Sequence, residues 1–246
     1  MSRTARSRGE GNSFLYAQSF AGYTRHHSEP FQLMAKAATP LRIAVLLSGG
    51  GTSLENLFAA IESGLPAEVV CVLSSKKTAF GLQRAENHGV PGIAIPRRGY
   101  SDVRSFNDAL HCELDRHEFD LICLLGFLSP FELRGRYAGR TLNVHPALIP
   151  AFCGKGFYGH HVHEAVLAAG VKLTGATIHF ASDDYDEGPI LLQGSVPVEE
   201  DDDVERLAAR VQALERKLLP AAIRLIAEQR VVIEDGRVRI LAARND

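Results

Sequence analysis

No uncharged apolar run in the 246-residue chain approaches the ~18 residues that cross a bilayer, and no early apolar segment precedes a small-residue cleavage site. The expectation is a cytoplasmic protein, neither membrane-bound nor secreted. An excess of one charge is missing as well: 27 Lys and Arg face 29 Asp and Glu, so no basic field exists to hold a nucleic-acid backbone. Cysteine is scarce, and Cys71, Cys112, Cys123 and Cys153 form no C-x-x-C pair, which excludes a disulfide framework and a thiolate zinc site. His160, His161 and His163 cluster, but they run into a helix where they cannot all face one point, so no metal is expected. There is no internal repeat, and methionine occurs only twice, at Met1 and Met34.

Residues 1–40 stand apart in composition, with five Lys or Arg against two acids and no sustained period. They are expected to lie outside the fold as a disordered tail, or, with Met34 as the true start, residues 1–33 are a segment the native protein lacks. A transit peptide would share the Arg- and Ser-rich composition, although no amphipathic helix is evident. The domain is expected over residues 41–246.

From Arg42 the pattern is regular. The apolar run Ile43–Leu47 leads through Ser48-Gly49-Gly50-Gly51-Thr52-Ser53 into an amphipathic stretch from Leu54, which predicts strand, glycine turn and helix. Further strands are expected at Val69–Leu73, Gly92–Ile95, Leu121–Leu125 and Arg140–Val144, with helices at Phe80–His88, Val103–Arg116 and Val162–Ala169. Such alternation implies right-handed βαβ units and a parallel sheet covered on both faces. Lys172–Phe180 and Ile190–Val198 read as a later strand pair, Asp202–Glu228 as a long helix, and Asp235-Gly236 as the turn of a terminal hairpin.

Glycines directly after the first strand turn backbone N–H groups toward the positive end of the following helix, which is where an anion, most often phosphate, belongs. No lysine follows as in a Walker loop, and Leu54 stands where a dinucleotide fingerprint needs its third glycine. After the second strand, Ser74-Ser75-Lys76-Lys77 offers no acid for a ribose hydroxyl, so a dehydrogenase is disfavoured. At the next informative place, Asn143-Val144-His145-Pro146, strand alternation puts an amide and an imidazole on one face at a carboxyl end, where open α/β sheets bind ligands. An amide N–H and a charged imidazole can both donate to an oxygen that gains negative charge, as acyl transfer requires. A carboxylate would keep that imidazole charged, and the acidic turn offers Asp183, Asp184 and Asp186, among which spacing alone does not choose.

With these residues go Ala79-Phe80-Gly81-Leu82, Pro150, Ile178-His179-Phe180, Asp186-Glu187-Gly188-Pro189-Ile190 with Gln193, and Arg210-Val211-Gln212 with Glu215. In that order and spacing the chain from Arg42 to about Val232 resembles the glycinamide ribonucleotide formyltransferase family, folate-dependent enzymes of purine synthesis. The resemblance implies a Rossmann-like α/β fold in a single domain, doubly wound and mostly parallel, with helices on both faces. It implies formyl transfer from 10-formyltetrahydrofolate to the amine of glycinamide ribonucleotide, without metal, by a monomer or homodimer. By the family's pattern Asn143 and His145 would stabilise the oxyanion, while Asp186 keeps His145 charged and helps move the amine's proton. Gly51, Thr52 and Ser53 would hold the phosphate, and Gln212 and Glu215 the ribose or glycinamide part. Arg104, Leu128 and the turn Ser182, Asp183, Asp184, Tyr185 would border the folate.

Two features depart from the family's pattern. Leu128–Glu132 is shorter than the matching folate-side segment, and Ala151–Gly159 is an unusual glycine- and aromatic-bearing loop in which Lys155 is expected to be solvated. His163 is expected to orient the site and His179 to support the Asn143 strand end. Formyltetrahydrofolate hydrolase shares the Asn, His and Asp but looks different in carrying an amino-terminal regulatory domain, for which residues 1–40 are too short. Methionyl-tRNA formyltransferase adds a carboxyl-terminal barrel that Arg230–Asp246 cannot supply. A non-catalytic binding protein on the same fold would not need the three polar residues together.

Overall fold

A computed structural model describes residues 31–32 and 39–243. The first long strand, β2 (Leu41–Leu47), shows how the layers arise. Successive side chains point to opposite faces, so Ile43, Val45 and Leu47 enter one apolar cluster while Ala44 and Leu46 enter another. Both faces must therefore be covered, which is why the strand reads as a continuous apolar run. α1 (Thr52–Glu62) and α5 (Val204–Ala227) close the first face, with Leu54, Leu57, Ile223 and Ile226 fully buried. α3 (Val103–Leu114) closes the second with Phe106, Leu110 and Leu114.

β3 (Ala67–Ser74) and β4 (Gly92–Ala94) extend the sheet to one side of β2, with α2 (Phe80–Asn87) between them in sequence. β5 (Leu121–Leu124), β6 (Thr141–His145), β7 (Leu173–Phe180) and β8 (Ile190–Pro197) extend it to the other, giving the order β4-β3-β2-β5-β6-β7-β8. β2 to β6 are parallel, whereas β7 runs antiparallel to β6 and β8 to β7. α4 (His160–Ala169) packs with the start of α5 over a third, smaller cluster around Val162, Val166, Leu207 and Val211.

β9 (Val231–Glu234) and β10 (Arg237–Ile240) form the expected hairpin about Asp235-Gly236. Its outer partner is β1 (Phe31–Gln32), which pairs antiparallel with β9, Phe31 opposite Ile233 and Gln32 opposite Val232. A short piece of the segment set outside the fold thus joins a strand edge. Residues 1–30 and 33–38, with the alternative start Met34, lie outside the described residues. Among the described residues, no helix is long and apolar enough to cross a membrane.

Several predicted boundaries shift by one or two residues. β6 begins at Thr141 rather than Arg140 and runs through His145. α4 begins at His160, two residues earlier than the apolar spacing suggests, because Gly159 at φ 54° turns the chain immediately before it. α5 begins after Asp203, whose carboxylate accepts the Arg206 N–H at 2.8 Å as an N-cap.

Candidate active site

The glycine turn after β2 ends with Gly51 at φ 73°, a left-handed conformation at the N-cap of α1. A Cβ there would also stand 2.7 Å from the Gly81 Cα, so the turn and the start of α2 approach too closely for any other residue. Thr52 and Ser53 in the first turn of α1 line a small cavity of about 60 Å3 together with Asn56, Gln212 and Glu215. Four of the five residues expected at the ribonucleotide thus line one corner, and Gly51, the N-cap of α1, directly precedes Thr52 without lining it. Burial pushes the Glu215 carboxyl up to about 7, with Arg216 pulling weakly the other way.

A larger cavity of about 470 Å3 opens from this corner, sharing Ser53, Gln212 and Glu215 and reaching Asn143, His145 and Asp186. Antiparallel register sets His179 on β7 directly opposite Asn143 on β6. Asn143 Nδ2 donates to His179 Nε2 at 3.1 Å and to Asp186 Oδ1 at 3.2 Å. The other ring nitrogen of His179, Nδ1, donates to the Phe180 carbonyl at 3.0 Å, so His179 supports the Asn143 strand end as expected. Among the described residues no donor reaches Asn143 Oδ1, the other branch of the amide.

His145 is 3% exposed. Its Nε2 donates to the Phe152 carbonyl at 2.8 Å, and its Nδ1 stands 3.5 Å from Asp186 Oδ2. The structure thereby selects Asp186 from the acidic turn: its side chain is 9% exposed and faces both histidines, whereas Asp183 and Asp184 point to solvent. Gly154 N–H donates to Asp186 Oδ2 at 2.9 Å. Burial pushes the Asp186 carboxyl up, but the His179 and His145 rings and the Gly154 N–H together outweigh it and hold the group below its ordinary range.

Burial also pushes the His145 imidazole below its ordinary value, against the opposing pull of Asp186 and of the Phe152 carbonyl. Taking the ring out of water works against the cation, while the carboxylate 3.5 Å away works for it.

On the far side of Asn143 lies a third cavity, about 290 Å3, walled by Phe127, Pro130, Phe131 and Ala181 and rimmed by Ser182, Asp183, Asp184 and Tyr185. Leu128, half exposed, and Tyr185 face the central cavity as well. Arg104 is not brought to either cavity: it lies on the exposed side of α3, where its carbonyl accepts from Arg134 Nη2 at 3.3 Å. The shortened segment is held by groups the sequence reading passed over. Buried Asn107 accepts the Glu132 N–H at 2.8 Å and donates to the Pro130 carbonyl at 3.2 Å. His111 Nε2 donates to the Glu132 carbonyl at 2.9 Å, and the Leu128 N–H donates to Ser48 Oγ at 2.8 Å. The available signal was two polar residues four apart on the apolar face of a helix.

Of the three clustered histidines, exposed His160 and buried His163 both line the central cavity, while His161 contacts Glu164 at 3.1 Å. Burial, then His160 and His145, lower the His163 imidazole. Lys155 is exposed and lines the central cavity. Cys153 Sγ donates to the Pro150 carbonyl at 3.2 Å, and burial raises its thiol.

Comparison with known proteins places this geometry. The formyl transferase family model matches residues 41–223. The phosphoribosylglycinamide formyltransferase of Haemophilus influenzae is 35% identical over 199 residues, covering 79% of this chain and 91% of the relative. The trifunctional purine biosynthetic protein adenosine-3 of Bos taurus is 38% identical over 223 residues, 88% of this chain, which spans 21% of that longer protein. The crystal structure of glycinamide ribonucleotide transformylase 1 from Symbiobacterium toebii superposes with a TM-score of 0.78 at 40% identity, covering 82% of this chain and 95% of that one. The chain belongs to the formyl transferase family.

Proposed function

We propose that this protein transfers the formyl group of 10-formyltetrahydrofolate to the amine of glycinamide ribonucleotide, a step of purine biosynthesis, in the cytoplasm. The observation that carries the reading is that Asn143 and Asp186 line both the central cavity, which reaches α1 and α5, and the aromatic-walled cavity beyond Asn143. Two ligands entering from opposite sides would meet at those residues. Hydrolysis or simple binding would leave one side without a use.

The residues fit both ligands chemically. The first turn of α1, with free N–H groups and the positive end of the helix dipole, suits a phosphate. Gln212 and Glu215 suit hydroxyl and amide groups. The wall of Phe127, Pro130, Phe131 and Ala181 suits the apolar faces of a fused heterocycle, and the backbone of the turn from Ser182 suits its polar edge. The folate supplies the formyl group when bound. Asn143 and His145 then stand at the formyl oxygen as it gains charge, and Asp186, held ionised, balances a protonated His145. Because the His145 and Asn143 hydrogens have protein acceptors here, each contact with a ligand exchanges one hydrogen bond for another.

Separate Michaelis constants test the two-sided reading. Gln212→Ala should raise the ribonucleotide KM ~10-fold or more with the folate KM nearly unchanged, and Tyr185→Ala the reverse. Equal effects on both constants would contradict it.

A further inference from the structure

Three successive carbonyls of the glycine turn after β2 are held by donors. Gly49 O accepts the Gly81 N–H at 3.1 Å, Gly50 O accepts Arg84 Nε at 2.9 Å, and Gly51 O accepts the Glu55 N–H at 3.0 Å. A trans peptide points its C=O and the N–H that follows in opposite directions. With the first two carbonyls turned toward α2, the N–H groups of Gly50 and Gly51 turn away from it. With the third turned along α1, the Thr52 N–H points out of the helix end. Among the described residues no protein group accepts from these three N–H groups.

One of the three donors is a side chain. Arg84 stands on α2 with its guanidinium carbon 5.1 Å over the Phe80 ring, and besides Gly50 it reaches Glu55 Oε2 with Nη1 at 2.6 Å. Glu55 lies in the first turn of α1, where a carboxylate competes with a phosphate for the same positive helix end. Hydrogen bonds from Arg84 and then His88 hold its carboxyl below the ordinary range, so the competing charge is present at neutral pH.

We propose that Arg84 is a positioning residue for the phosphate of the ribonucleotide: Nε fixes the Gly50–Gly51 peptide with its N–H turned outward, and Nη1 neutralises the Glu55 carboxylate. This rests on the reading of the first turn of α1 as the phosphate site. Arg84 lines neither the small cavity nor the central one, so it acts through the loop and not on the ligand. A planar guanidinium holds its donors at fixed angles and serves the carbonyl and the carboxylate together. A lysine ammonium in its place keeps the charge beside Glu55 but lacks the Nε–H that Gly50 accepts.

The test compares Michaelis constants in the full chain. Arg84→Met keeps an apolar stem over Phe80 and removes the charge and the donors. It should raise the ribonucleotide KM ~10-fold or more, with kcat and the folate KM within about 3-fold of native. Arg84→Lys should fall between the two. Adding Glu55→Gln to Arg84→Met should bring the ribonucleotide KM back down ~3-fold or more, because the uncancelled charge is gone. Inorganic phosphate should compete with the ribonucleotide, and its inhibition constant should rise in Arg84→Met alongside the KM. A native ribonucleotide KM in the folded Arg84→Met protein overturns the proposal. So does a change shared equally by kcat or the folate KM, which is what a merely loosened fold would give. If Arg84→Met does not fold, Arg84→Lys decides: a rise of ~3-fold or more confined to the ribonucleotide KM supports the role, and a native value overturns it. Gly51→Ala in the same assay separates the two ideas. A raised ribonucleotide KM there with native Arg84 variants removes only the Arg84 role, while native constants in all of them remove the phosphate reading and the proposal with it.

Discussion

Replacing His145 or Asp186 should separate chemistry from binding. His145→Ala and Asp186→Asn are each expected to lower kcat by ~10²–10⁴-fold while the ribonucleotide KM stays within about 3-fold, measured by steady-state kinetics. A KM that rises as steeply as kcat falls would mean that they bind rather than react. Strand alternation alone made Asn143 and His145 legible, because a period of two fixes which side chains share a face. Asp186 was not distinguishable from Asp183 and Asp184, since a turn has no period and the choice is made by a backbone at φ 60°. The Phe152 contact was invisible for a different reason: it uses a carbonyl, which every residue possesses. The burial of His145 was not legible either, because a sequence shows a neighbouring carboxylate more readily than it shows 3% exposure.

At the scale of elements, the turn between β2 and α1 carries the sharpest expectation. Gly51→Ala should raise the ribonucleotide KM and lower stability by ~1–3 kcal/mol, because its Cβ meets Gly81 and its φ is left-handed. Denaturant unfolding and the KM together check this, and an unchanged KM would remove the phosphate role. Asp203→Ala, which only uncaps α5, should cost about 1 kcal/mol and leave both Michaelis constants alone. Long elements with strong periods were readable to within two residues, as α5 shows. The loop from Ala151 to Gly159 was not, since its course depends on Gly154 and Gly156 at positive φ and on contacts with Asp186.

For the whole molecule, acid should be the destabilising direction. Burial lowers the imidazoles of His111, His145 and His163, so below about pH 6.5 the unfolded chain binds protons that the folded one refuses, and stability falls at up to about 1.4 kcal/mol per pH unit for each. Asp186, and Asp202 beside Arg210, have lowered carboxyls and add a second loss as pH drops through the ordinary carboxylate range. Glu215 works the other way: from 4.5 to about 7 the folded state holds the extra proton, so it stabilises as pH falls. Thermal unfolding from pH 7 to 5 should show a falling Tm in the native protein and a steeper fall in Glu215→Gln, and a shallower one would contradict the burial of that carboxyl.

The alternation of strands and helices made the parallel half of the sheet and its two covered faces legible. The reversal at β7 was not, because βαβ periodicity says nothing of a strand's direction once the connecting helix is followed by a hairpin. That reversal is what sets His179 across from Asn143, so the part of the topology hidden from the sequence builds part of the centre.

Steady-state release of tetrahydrofolate from 10-formyltetrahydrofolate, followed with and without glycinamide ribonucleotide, tests the central claim most directly. Release that depends on the ribonucleotide and saturates with it is the predicted result. Release at the same rate without it, or none from the folded protein under either condition, would contradict the account.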